Sequence, residues 1–235
     1  MKPMKRFLPA VLLSVLSLAS CGGPPPVAPD AVNTPTPSGV SRPGLSVSQE
    51  LGKIDRAAAD QAFERVKSRL VACHQEALKR IDYVAGDAKF FARVDPRGKV
   101  RWIYFEESTF GDRELEKCLL SALSSAPWPS PEGGDGEIQK PFGFDSDARE
   151  PTPWGPEKAA AGVASIQGEV SRCRGEASGL FQVTVYVEPS GKVGSAGIAA
   201  PNKDVAEKAD CVLQAVRTMT FPSPGSYAAK VTFSL

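Results

Sequence analysis

The chain has 235 residues, 42% of them apolar, which is enough material for two small hydrophobic cores within the usual domain range. Its formal charge is +1, and loss of the N-terminal Lys2, Lys5 and Arg6 leaves 25 basic against 27 acidic residues. No run of Lys or Arg offers a surface that would track phosphates, which argues against nucleic acid as a partner.

In chain order, Lys2, Lys5 and Arg6 form a basic start, followed by an apolar run over 7–18 that is too short to span a bilayer as a stable helix. This pattern predicts a secretory signal peptide over 1–20. Leu18-Ala19-Ser20-Cys21 is similar to the lipobox of bacterial lipoproteins, which implies lipidation of Cys21 as the mature N-terminus. Gly22 after that cysteine, rather than Asp, points by the same analogy to the outer membrane. Residues 21–50 are rich in Pro, Gly, Ser and Thr, with hardly a large apolar side chain before Leu45. Such a composition builds no core and predicts an extended tether, reaching up to roughly 90 Å in polyproline geometry.

Apolar residues at three-and-four spacing, from Ala59 and Phe63 to Ala77 and Ile81, predict a helix over 55–80 with Cys73 on its buried stripe. Alternation of Ala88, Phe90, Ala92 and Val94 with Lys89, Phe91 and Arg93 predicts a strand, which Asp95-Pro96-Arg97-Gly98 turns back into a second strand over 100–106. Asp112 suits the N-cap of a helix over 113–125, with Cys118 expected on its inward face. Trp128-Pro129-Ser130-Pro131 ends that helix, Gly133-Gly134 makes a loop, and 138–144 supplies a third strand. A connector rich in proline and charge follows, and Pro156 opens the next helix. Phe181 to Val187 alternate as a strand, Glu188-Pro189-Ser190-Gly191 turns into 193–199, a helix is expected over 203–218, and a strand over 229–235 ends the chain.

The second set of elements repeats the first. Gly98 to Cys118 and Gly191 to Cys211 are both 20 residues, and Cys118 to Pro129 and Cys211 to Pro222 are both 11, so one offset of 93 aligns the copies. The expected fold is α+β: two tandem units, each a three-stranded antiparallel sheet with two helices on one face, in the order helix-strand-strand-helix-strand. The units are assigned to 51–147 and 157–235, joined by a connector over 148–156. Setting Cys21 aside leaves four cysteines, Cys73 and Cys118 in one copy and Cys173 and Cys211 in the other. Of the three connectivities, only pairing within each copy treats the copies alike, and an exported chain is the setting in which disulfides form. No pair has the close spacing of a zinc site, and no metal or other cofactor is expected.

The order of elements, together with a Cys-bearing helix, an Asp-Pro-x-Gly-x-Val turn (Asp95 to Val100), a second Cys-bearing helix, Trp128 to Pro131, Gly133-Gly134 and Pro141-Phe142-Gly143-Phe144, resembles the C-terminal domain of TonB energy transducers. The variety it resembles most is the TonB-like domain at the C-terminus of myxobacterial gliding-motility proteins. The second copy keeps the turn, both cysteines and Phe221 to Pro224 but lacks the double glycine and the Pro-Phe-x-Phe ending. The resemblance implies capture of an extended peptide by the last strand of a unit, here 138–144 or 228–233. Pro141 removes a donor from the first of these, so the second, Ala229, Lys230, Val231, Thr232 and Phe233, is assigned as the peptide-binding edge.

Catalytic candidates are few. His74, the single histidine, neighbours a cysteine expected in a disulfide and is read as a partly exposed helix residue. Glu106 and Glu107 fall on opposite faces of a strand. The aromatic stretch Trp102 to Phe105, with Phe90 and Phe91, is expected to place one face in the core and the other against the sister unit. The sequence thus predicts a non-enzymatic lipoprotein, anchored in the outer membrane and facing the periplasm, that binds a periplasmic or outer-membrane protein and takes no small-molecule substrate. The alternative is a structural component of an envelope motility or trafficking apparatus that uses no peptide edge.

Overall fold

The computed structural model describes residues 51–235. Helix α1 (Arg56–Leu78) starts where the Asp55 side chain accepts from the Ala58 N–H, and it buries Phe63, Val66, Leu70, Cys73 and Ala77 along one stripe. Strands β1 (Gly86–Val94) and β2 (Val100–Ser108) form an antiparallel hairpin, and β3 (Gly136–Phe144) pairs with the other side of β1, giving the order β2-β1-β3. Between them α2 (Arg113–Ser124) begins at the Asp112 N-cap, whose carboxylate accepts from the Leu115 N–H at 2.7 Å. Phe63, Leu70, Phe90, Phe105, Leu115, Leu119, Leu123 and Trp128 meet in one core between the two helices and one face of this sheet.

The second sheet has four strands rather than the expected three. β4 (Thr152–Trp154) lies in the stretch read as plain connector and pairs parallel with β7 (Ala229–Ser234). β7 pairs antiparallel with β5 (Gln182–Val187), and β5 with β6 (Val193–Ala199), so the order is β4-β7-β5-β6 and the sheet is mixed. Pro156 opens a 3-10 turn, Pro156–Ala159, that leads into α3 (Ala160–Arg174). The helix expected over 203–218 is divided into α4 (Lys203–Ala206) and α5 (Ala209–Val216). Ile166, Val170, Val183, Val185, Val212, Val216, Val231 and Phe233 form the second core.

Both disulfides are present, Cys73–Cys118 tying α1 to α2 and Cys173–Cys211 tying α3 to α5. The inward position expected for Cys118 is corrected: the residue is exposed, as is Cys211, because in each helix pair it is the cysteine of the first helix, Cys73 or Cys173, that faces the core. Each bridge thus runs from a cysteine at the core, Cys73 buried in the first and Cys173 packed against the second, to an exposed cysteine on the partner helix.

The repeated turn and the repeated aromatic-Pro-Ser-Pro segment touch. Gly98 and Gly191 adopt φ +78° and +80°, and a Cβ on either would overlap a backbone carbonyl, that of Trp128 in one copy and Phe221 in the other. The conserved spacing within the chain therefore records a contact, with the hairpin turn seated on the chain leaving the following helix.

Both sheets belong to one compact unit. In β5 every residue after Gln182 is buried, although Thr184 and Tyr186 point away from the helices that cover Val183 and Val185. The first half covers that helix-free face. Ser108 N–H donates to Gln182 Oε1 at 2.8 Å, Thr184 Oγ1 donates to the Ser108 carbonyl at 3.3 Å, and the Tyr186 hydroxyl donates to the Ala85 carbonyl at 3.3 Å.

Candidate binding surfaces

The strand assigned from sequence as the peptide-binding edge is not an edge over its first half. β4 pairs Thr152 with Ala229, Pro153 with Lys230 and Trp154 with Val231, on the side of β7 opposite β5. The backbone groups that would capture a peptide at Ala229, Lys230 and Val231 are thus taken by the chain itself, and Thr232 and Phe233 continue a strand whose start is already covered. Pro151 and Pro153 lack the N–H needed to extend the sheet beyond β4, so the sheet is closed off there.

β3 is different. It pairs with β1 throughout, from Gly86↔Phe144 to Val94↔Gly136, and among the described residues no strand pairs with its outer edge. Beside that edge runs a groove of about 510 Å³ lined by Ile54, Arg56, Ala59, Asp60 and β3 residues from Glu137 to Lys140. One wall is held in place by Lys140, whose ammonium donates to Asp60 at 2.5 Å and lies 5.0 Å from the Phe63 ring centroid. Pro141 interrupts the donor row, which leaves 136–140 as the uninterrupted stretch.

The helix-free face of the first sheet carries Phe91 stacked on Tyr104 at 5.2 Å, and Arg93 over Trp102 at 5.8 Å. The sister half covers part of it: Lys203 of α4 lies over Trp102, and the Ala200 N–H donates to the Phe105 carbonyl at 2.8 Å. The opposite side chains, Phe90 and Phe105, are in the core.

His74 corrects the expectation of a partly exposed residue. It is buried, its Nε2 is 2.8 Å from the Val84 carbonyl oxygen, and its ring stacks on Phe144 at 4.5 Å. Among the described residues no cluster of His, Cys, Asp and Glu has the makings of a metal site, and no helix is long and apolar enough to cross a membrane. Cys21 lies outside the described residues.

Glu116, which the sequence places on the polar side of α2, is fully buried where the halves meet. Its carboxylate accepts from Ser108 Oγ at 2.7 Å and from the Ile198 N–H at 3.0 Å, and Arg113 Nη1 is 3.5 Å away. Burial pushes this carboxyl up to about 7, against the opposing pull of the Ile198 N–H, Ser108 hydroxyl and Arg113. Asp112 beside it behaves oppositely. Burial alone would raise it, but donation from Arg80, the Leu115 N–H and the Ser195 hydroxyl outweighs that and holds it below the ordinary range. Neither group was visible as an interface residue in the sequence, since both carry the polar character of a helix start.

A cleft of about 480 Å³ opens at the junction of the halves, with Tyr83 and Asp87 on one side, Glu150 and Trp154 on the other, and Tyr186 and Lys230 on the sheet between them. Lys230 is half-buried, its ammonium donating to the Ala85 carbonyl at 2.7 Å and lying 5.4 Å from the Tyr186 ring centroid. Comparison of the chain with protein-family models, with curated proteins and with solved structures finds no match.

Proposed function

We propose that this chain is a non-enzymatic cell-envelope lipoprotein, anchored through Cys21 in the outer membrane and facing the periplasm, whose folded part binds an extended segment of a periplasmic or outer-membrane protein. The finer architecture, two tandem TonB C-terminal-like units, belongs to the same proposal and draws on the offset of 93 and on the turn that both copies seat on a Trp or Phe carbonyl. The observation that carries the binding reading is the outer edge of β3, unpaired among the described residues, beside its groove, since the corresponding edge of β7 is occupied by β4. Strand addition at 136–140 supplies main-chain hydrogen bonds from any extended peptide, and the groove beside Ile54, Arg56 and Asp60 selects among side chains. The two disulfides fit an oxidising compartment.

A photo-crosslinking residue at Gln139, exposed on the β3 edge, is expected to join the full chain to one partner in membrane fractions, with adducts mapping to a contiguous extended segment. The same probe at Arg69, on the far surface of α1, is the control. Equal labelling from both positions overturns the edge reading. The closure of β7 by β4 favours the structural alternative, and crosslinks exclusively between copies of this chain would decide for it. Labelling with palmitate tests the anchor: Cys21→Ser is expected to abolish incorporation.

A further inference from the structure

The cleft between the halves is built differently from the β3 groove. Its floor is the helix-free face of the second sheet, where Lys230 stands beside Tyr186. An ammonium has three donors, and the structure gives this one a single hydrogen bond, to the Ala85 carbonyl. Among the described residues no carboxylate lies within 4.0 Å of it, so its charge is partly stripped of water and not neutralised. Burial accordingly lowers its proton affinity, while the more distant Asp87 and Glu150 work in the other direction. Those two carboxylates also line the cleft, and the aromatic rings of Tyr83 and Trp154 stand with them. The volume, about 480 Å³, lies in the range of small-ligand sites.

We propose that this cleft binds a zwitterionic ligand of the amino acid or short-peptide class, with its free carboxylate on Lys230, its cationic group toward Asp87 and Glu150, and its apolar body between Tyr83 and Trp154. A simple anion does not fit, because the two acidic side chains would repel it, and a simple cation does not fit, because Lys230 would. A ligand with both charges satisfies the two unused donors of Lys230 with charge-assisted hydrogen bonds and leaves the acids paired. The rings contribute apolar burial and a negative face for the cationic end. Since the cleft is separate from the β3 groove, this site and the strand-addition site stand or fall independently.

The test is calorimetric titration of the full chain with the dipeptide Arg-Phe, with its C-terminal amide, and with its N-acetylated form lacking the α-ammonium. Arg-Phe is expected to bind, the amide at least tenfold more weakly, and Glu150→Gln to weaken Arg-Phe while leaving the preference for the free carboxylate intact. Lys230→Met is expected to erase that preference, with its unfolding midpoint measured alongside, and Lys230→Arg to restore it in part. The comparison of acid and amide on the unaltered chain needs no variant to fold. Equal affinity for acid and amide, or no heat with Arg-Phe at millimolar concentration, overturns the proposal.

Discussion

Glu116 is a carboxyl in the one place where α2, the end of β2 and the edge of β6 converge, and it supplies the acceptor that the Ile198 N–H lacks from a neighbouring strand. Its folded value of about 7 exceeds the ordinary 4.5, so the folded state holds this proton more tightly than the unfolded chain does. Its contribution to stability is therefore full below about pH 4.5 and is lost as pH rises through about 7. At one pKa unit per 1.36 kcal/mol the loss has a ceiling of about 3 kcal/mol. Urea unfolding of the full chain at pH 5.5 and pH 8.5 is expected to show lower stability at the higher pH, and Glu116→Gln is expected to flatten that slope. The Asp112 carboxyl titrates in the opposite sense and at lower pH, losing its contribution as the solution becomes strongly acidic, so the two effects separate. Periodicity could not reveal either role. Glu116 sits at a polar position of its own helix and is buried by β6, some 80 residues further along the chain.

Among the elements, the disulfide-linked helix pairs and the turns that seat on the aromatic-Pro-Ser-Pro segments dominate. The bridges close loops of 45 and 38 residues, and on the chain-entropy model each contributes about 4 kcal/mol. Replacing Cys73 and Cys118 together by Ser is expected to lower stability by about that amount while leaving the second bridge and the far-ultraviolet spectrum intact. Gly98→Ala and Gly191→Ala are each expected to cost about 1–3 kcal/mol, through positive φ and through collision with the Trp128 or Phe221 carbonyl. Most elements were legible because each repeats a short-range signal: the stripe of Phe63, Val66 and Leu70, the alternation of Val183, Val185 and Val187, the Asp112 cap. β4 was not, because Pro151, Thr152 and Pro153 have the composition of a linker and gain strand geometry solely by lying against β7. The same strand covers the start of the edge expected at Ala229 to Phe233, which is why strand addition is proposed at β3 instead.

The described residues behave as one body rather than two beads. Gly111, at φ +67°, brings the backbone against the Tyr186 ring, and the Ser108, Gln182 and Thr184 bonds run alongside. Unfolding followed at the first-half Trp102 and Trp128 and at the second-half Trp154, using single-tryptophan variants, is expected to give coincident transitions. Gly111→Val is expected to destabilise both halves together, which separate transitions would contradict.

The first described residues give this body a mechanical character. Gly52 and Lys53 are hydrogen-bonded to the Asp135 and Glu132 carbonyls, alongside the loop that leads into β3, and α1 follows directly. Tension applied at residue 51 would break those bonds and then unwind α1 from its start, but the Cys73–Cys118 bridge transfers the load to α2. Extension stops with 51–73 drawn out, a span of roughly 75 Å, as in a seat belt that locks after a fixed length. Reduction of the bridge removes the stop, so a pulling trace on the full chain should lengthen its first step after treatment with a thiol reductant.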